Sequence, residues 1–331
     1  MNRKKKHPAL SRAFPSLLAV GLFAGGAASA HAAVCHVTTA GSGAGDGVSW
    51  ATSMDLQTAL GNPGCTEIRV ASGVYTPGAA GMQSATFAIQ PGVAVYGGFA
   101  GTESDRIQRN PVLNLTVLSG DIDGNDSGAG GVNASHLEIE GSNSFHVVTM
   151  DGSLALIGPA TVLDGFTITG GDGGDSVSGG GLLCFASGVD AGCSPRLGNL
   201  VFSGNRAQSG AAMHLSGTNG ASSAPALGNV LFTGNFARHG GALYNDGTGG
   251  NASPTLDEVG FCRQHLVLQR RGDVQQRQRR RQFQPADAQR ELPEQYDAPR
   301  QRRRDVQLRL RRGQRQRAGA RRSHLRRKPL G

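Results

Sequence analysis

The sequence predicts an all-β chain. Its centre is a parallel β-solenoid, with a short N-terminal capping helix before it and a disordered Arg/Gln-rich tail after it. Three observations carry this expectation. A unit of about 30 residues recurs, 51 glycines stand against 5% aromatic residues, and charge changes sign twice along the 331 residues. Abundant Gly with few aromatics argues against an ordinary α/β enzyme core.

The formal net charge of +9 is an average over three unlike segments. Residues 1–32 carry five basic and no acidic residues, for +5. Residues 33–261 carry six Arg, no Lys and 18 acidic residues, for −12. Residues 262–331 carry 22 basic and six acidic residues, for +16. The body is acidic, which withdraws the nucleic-acid partner that a whole-chain value of +9 suggests.

Residues 1–32 read as a signal peptide. Arg3, Lys4, Lys5, Lys6 and Arg12 make a basic start, and an apolar, small-residue run follows from Ala13 to Ala30. It ends in Ala28-Ser29-Ala30 and Ala30-His31-Ala32, both of the A-x-A kind accepted at cleavage sites. Gly25-Gly26 shortens the apolar core below bilayer length. No other long apolar run is present, so no transmembrane helix is expected in the mature chain.

Residues 33–261 read as the solenoid domain. From Trp50 to Leu60 the apolar residues Trp50, Met54 and Leu60 fall at helical spacing, which predicts a short helix capping the open end. Glu67–Val70, Thr86–Ile89 and Val93–Tyr96 read as the first strands. The array then becomes explicit. Ser194-Pro195-Arg196-Leu197-Gly198-Asn199-Leu200-Val201-Phe202-Ser203-Gly204-Asn205 aligns with Ala224-Pro225-Ala226-Leu227-Gly228-Asn229-Val230-Leu231-Phe232-Thr233-Gly234-Asn235, and Ser253 to Phe261 begins a third copy. Short apolar runs follow each copy, at Gly210-Ala211-Ala212-Met213 and Gly240-Gly241-Ala242-Leu243-Tyr244. Such a unit cannot bury its apolar side alone. Stacking copies about 4.8 Å apart pairs the backbone and makes a continuous core. Asn205 and Asn235 occupy one turn position, where Asn tolerates left-handed backbone and can hydrogen-bond between coils, so their role is structural.

Cysteine usage agrees with export. Cys35 and Cys65 flank the first part of the mature chain, and Cys184 and Cys193 bracket a short excursion, so each pair is a candidate disulfide. None has the CxxC spacing of a zinc site, and Cys262 is left over.

A resemblance follows from these motifs. Ser49-Trp50-Ala51, Asp55-Leu56-Gln57, Ala71-Ser72-Gly73-Val74-Tyr75, Val95-Tyr96-Gly97-Gly98-Phe99, Leu118-Ser119-Gly120-Asp121 and Leu163-Asp164-Gly165-Phe166-Thr167-Ile168 resemble bacterial secreted right-handed parallel β-helix proteins. The Gly-Gly-Ala and Phe-x-Gly-Asn elements resemble the repeats of polymorphic outer membrane proteins. The resemblance covers residues 34–261. It implies a right-handed β-helix and a secreted or surface-displayed passenger, often an adhesin, on the outside of a bacterium. The implied partner is a host or environmental surface ligand or a polysaccharide. The translocator barrel or anchor that many such proteins carry is not visible.

Residues 262–331 hold 21 Arg and 13 Gln, with almost no apolar periodicity. Taken literally they form a disordered basic arm. Yet Arg270-Arg271-Gly272-Asp273-Val274-Gln275 recurs as Arg302-Arg303-Arg304-Asp305-Val306-Gln307, 32 residues later, close to the period upstream. Read one base later, Arg codons of the CGN type begin with G, and the six residues become Gly-Gly-Ala-Met-Phe-Asn. A frameshift between Asp257 and Cys262 is therefore expected. It makes the integrin-type tripeptide Arg271-Gly272-Asp273, and Cys262 itself, accidents of the frame.

Chemistry is sparse. Asp121-Ile122-Asp123-Gly124-Asn125-Asp126 has alternating oxygen donors, and Asp121, Asp123, Asn125 and Asp126 make a candidate calcium loop. It departs from the EF-hand pattern, with Asp126 where that pattern needs Gly and Val132 where it needs Glu; the other reading is an acidic solvated loop. Apart from that calcium, no cofactor is expected. Catalysis as a polysaccharide lyase or glycoside hydrolase is the alternative to binding. It would need clustered carboxylates and a base, drawn from Asp151, Asp164, Asp172, Asp175 and Asp190 with Arg196, Arg206 and Arg238. The sequence shows no fixed spacing among them and no catalytic residue is assigned. His146, His214 and His239 are scattered, and the Gly runs lack a phosphate-loop Lys.

Overall fold

The computed structural model describes residues 33–41 and 44–266. The expected signal peptide and all but the first five residues of the expected tail lie outside the described residues. The chain is nearly all β and winds as a parallel solenoid of about seven turns. One strand per turn builds the main sheet: Val34–Val37, Glu67–Ala71, Ala94–Phe99, Val162–Asp164, Arg196–Ser203, Ala226–Thr233 and Thr255–Cys262, each parallel to the next. The second half of Arg196–Ser203 continues backward through Thr167–Thr169, Thr116–Ser119 and Gly73–Tyr75. A second sheet stacks Phe87–Ala88, Val148–Asp151, Leu182–Ser187, Met213–Thr218 and Leu243–Asp246. A third stacks Arg206–Ser209, Phe236–His239 and His265–Leu266, so parallel pairing runs to Leu266, five residues beyond the composition change at 261.

Register turns the repeat into columns. Cys35, Ile68, Val95, Leu163, Leu197, Leu227 and Leu256 lie in one column along the whole stack. All but Leu256 are buried. Leu118, Ile168, Phe202, Phe232 and Phe261 make a second column. Its last three rings stack at 5.2 and 5.1 Å. Every inward side chain finds an equivalent side chain one coil away, which is why one unit repeated can bury what one unit alone cannot.

The N-terminal end is closed. The predicted helix over Trp50–Leu60 is in fact two elements, because Ser49 and Asp55 each cap a start. Ser49 opens a 3-10 turn at Trp50–Thr52, and the Asp55 carboxylate accepts the Thr58 N–H at 2.9 Å to open the helix Leu56–Gly61. Leu56, Ala59 and Leu60 join the main core. Trp50 packs outside it, against His36 and Phe99, and its Nε1 donates to the Glu103 carbonyl. Disulfides join Cys35 to Cys65 and Cys184 to Cys193, and Cys262 is free and exposed. Among the described residues no helix is long and apolar enough to cross a membrane.

Asn205 and Asn235 form an internal ladder. Asn235 Oδ1 accepts both the Asn205 N–H and Asn205 Nδ2, at 3.0 and 2.9 Å, and Asn205 Oδ1 accepts the Gly171 N–H at 3.0 Å. The left-handed backbone falls one residue earlier, on Gly204 and Gly234. The asparagines that do adopt it are Asn199 and Asn229, where the main-sheet strands bend, and Asn219 in a turn.

Candidate functional site

A long loop, residues 120–144, departs after Thr116–Ser119 and lies along the outside of three later coils. Asp121 and Asn143 close its base in an antiparallel bridge. Asn133 donates its N–H to Thr169 Oγ1 at 3.0 Å, its carbonyl accepts from Ser203 Oγ at 2.6 Å, and the His136 N–H reaches the Gly234 carbonyl. The contact needs bare corners. A Cβ on Gly204 would sit 2.5 Å from the Asn133 oxygen, and one on Gly234 2.0 Å from the Ala134 oxygen.

The acidic run lies in this loop, and its carboxylates accept donors of the loop itself. Asp121 accepts the N–H groups of Gly124, Asn125 and Asp126. Asp123 accepts from Asn125 Nδ2 and the Ser142 N–H. Asp126 accepts the Glu140 N–H and both Asn133 Nδ2 and Asn143 Nδ2. Burial raises the Asp126 carboxyl above its usual range, and the Asp121 charge adds to this against the hydrogen bonds. The four residues thus brace the loop. Among the described residues no group of three or more His, Cys, Asp or Glu side chains is arranged to hold a metal.

Between the loop and the third sheet lies an open groove of about 390 Å³, lined by His136, Leu137, Ile139, Glu140, Asp172, Arg206 and Phe236 among others. Ser135 caps the 3-10 turn His136–Glu138 and thereby presents the His136 ring, which stacks on Phe236 at 4.3 Å. Arg206 lies 3.7 Å from Asp172 and 3.6 Å from Asp175, and Arg238 lies 3.1 Å from Asp175. Four of the residues named from sequence are therefore joined by ion pairs: Asp172 and Arg206, which line the groove, and Asp175 and Arg238. Arg206 pairs with Phe236 across the ladder, so Arg238 stands two residues further along rather than in the same slot.

The other candidates are apart. Asp164 pairs with Arg109 and accepts from Asn199 Nδ2 on the main sheet. Asp151 ends a strand of the second sheet, and Asp190 sits in a turn with φ +64°. Arg196 is exposed at the start of its main-sheet strand. His146 bonds the Gly179 carbonyl at 2.8 Å, and His214 stacks on Tyr244; burial lowers both pKa values. His239 is exposed at the end of its strand. Sequence reasoning missed the His136–Phe236 pair. The one visible signal was Phe236 replacing the Arg that follows Asn in the preceding repeat. No protein family, curated protein or solved structure matches this chain.

Proposed function

We propose that this is an exported bacterial β-helix protein of the secreted or surface-displayed passenger type. It works by binding, with the loop-flanked groove as its contact for a polysaccharide or another surface ligand. The carrying observation is the His136–Phe236 stack beside Arg206, Asp172, Asp175 and Arg238 on successive coils. A stacked aromatic face with flanking charged hydrogen-bonding groups suits a sugar ring and its hydroxyl or carboxylate substituents. The repeat along the axis suits a linear chain of such units. Export rests on the basic-apolar-A-x-A start and the two disulfides.

Binding is preferred to lyase or hydrolase chemistry because Asp172 and Asp175, the two carboxylates set among the arginines, are ion-paired with guanidinium groups. A general base needs an oxygen free to take a proton in reach of substrate. The test is retention on immobilised acidic and neutral polysaccharides. Phe236→Ala and Arg206→Ala are each expected to weaken retention about tenfold or more, without product release. Unsaturated oligosaccharides appearing in the same assay would select the lyase reading. Calcium at Asp121, Asp123, Asn125 and Asp126 is tested there by chelator, which would lower retention if the ion holds the loop over the groove.

A further inference from the structure

We propose that the open coil Thr255–Leu266 is the docking face for a further β-coil in the same register, and that this coil is encoded by the same gene one base out of the frame as written. The columns end here on surfaces that elsewhere are covered. Leu256 and Phe261 are 42% and 44% exposed, whereas their partners one coil earlier, Leu227 and Phe232, are 2% and 0%. Among the described residues Thr255–Cys262 pairs only with Ala226–Thr233, and its other edge has no described partner strand.

The backbone requirements of each column say what the next coil must contain. The bend in the main sheet is left-handed at Gly165, Asn199 and Asn229, and then at Glu258. The following corner is left-handed at Gly170, Gly204 and Gly234, and then at Arg263 with φ +51°. A bulky L-residue in this conformation costs about 1–2 kcal/mol; Arg263 lies downstream of codon 262 and is changed by a shift there, whereas Glu258 precedes it and stays. Gln264 takes the ladder position of Asn205 and Asn235. Its Nε2 donates to the Cys262 carbonyl at 2.8 Å, as Asn235 Nδ2 does to Thr233 at 3.0 Å. A third corner holds Gly179, Gly210 and Gly240, all with positive φ, and a Cβ on the last two would lie 2.3 and 2.4 Å from carbonyl oxygens.

Reading one base later from codon 262 restores the requirements downstream of it. Cys262-Arg263-Gln264 becomes a small residue followed by Gly and Asn, so Phe261-x-Gly-Asn is complete at the corner and the ladder. The third corner follows the ladder residue by five residues at Gly210 and at Gly240, and Arg270 follows Gln264 by six, so the restored stretch carries one extra residue before this corner. There Arg270 to Gln275 becomes Gly-Gly-Ala-Met-Phe-Asn, the counterpart of Gly240-Gly241-Ala242-Leu243-Tyr244-Asn245. Ala lands on the Ala212–Ala242 column, Met on Met213–Leu243, and Phe on the His214–Tyr244 ring stack. The same hexad returns at Arg302–Gln307, one coil further. The docking partner is thus a coil with this chain's own periodicity, rather than a second molecule.

The codons test this, since the amino acids leave the deciding third bases open. Arg263 and Arg270 must have codons ending in G, Gln264 a codon ending in A, and Asp273 and Asp305 codons ending in T. Other bases there put a side chain on the glycine corners, remove the ladder Asn or replace Met by Thr, and would overturn the proposal. The second test compares the full chain as written with the product of a single-base deletion at codon 262. Amide hydrogen exchange of Thr255–Cys262 is expected to slow at least about tenfold in the restored chain. Equal exchange in the two chains would show that no coil docks, whatever the codons are.

Discussion

The two ends of the solenoid differ although one column of side chains runs between them. At the N-terminal end Cys35 is covered by a helix with its own Asp cap and is tied by a disulfide to Cys65. At the C-terminal end Leu256 lies open, with left-handed Glu258 and Arg263 beside it. Interior coils need no capping helix, because each is covered by its neighbours. The contrast teaches that a solenoid unit is stable by position: the same Leu or Phe contributes fully inside the stack and little at an uncovered end.

The sharpest way to break this comparison is to truncate one ring at both places. Phe202→Ala is expected to cost about 3–5 kcal/mol, since it opens a cavity in the middle of the ring stack. Phe261→Ala, in the half-open ring of the last described coil, is expected to cost about 1 kcal/mol or less. Chemical denaturation followed by circular dichroism measures both, and equal losses would mean that the last coil is as well covered as the middle.

Removing the disulfides comes next. Replacing Cys35 and Cys65 by Ala is expected to cost about 3 kcal/mol, and replacing Cys184 and Cys193 somewhat less. The first bond closes a separation of 30 residues and the second one of 9. Thermal melts of the two double variants give the order. A larger loss for the second pair would place the weak point in mid-stack.

The ladder sharpens the comparison at a single atom. Asn205→Ala leaves the buried Gly171 N–H without its acceptor and removes the link to Asn235, for about 2 kcal/mol. Gln264→Asn, at the open end, is expected to change the midpoint by less than about 0.5 kcal/mol. The same denaturation assay reads both.

The smallest effect is a pH dependence confined to the second sheet and its margin. Burial holds His146 and His214 below their ordinary pKa, so the folded state binds these protons less readily than the unfolded chain. Stability is therefore full above about pH 6.5 and falls as pH drops toward the lowered folded values. The double variant His146→Asn with His214→Asn is expected to flatten the slope between about pH 7 and 5. Asp126, raised by burial, acts in the opposite sense in the carboxylate range below that window.

Much of the fold was legible because an inward position must be apolar at the same phase in every coil. Leu197 and Leu227, Phe202 and Phe232, and Asn205 and Asn235 announce their columns by spacing alone. The helix boundary was less legible, since the caps Ser49 and Asp55 split one apolar pattern into two elements. The groove was legible only as a set of unconnected Asp and Arg residues. Its wall is a loop that binds the coils through contacts such as Ser203 to Asn133, 70 residues apart, which no local pattern reports. The half of the site that carries His136 could not be placed beside Phe236 without the fold.

The sequence alone determined the period, the inward columns, the acidic body and the break in composition after Phe261. All of these follow from local rules: apolar phase, turn residues and charge. The tertiary structure decided where the long loop lies, which Asp and Arg side chains meet, and which corners must be bare glycine. Those depend on register between coils and on a backbone passing within about 3 Å of another, distances that only the stacked chain brings into being.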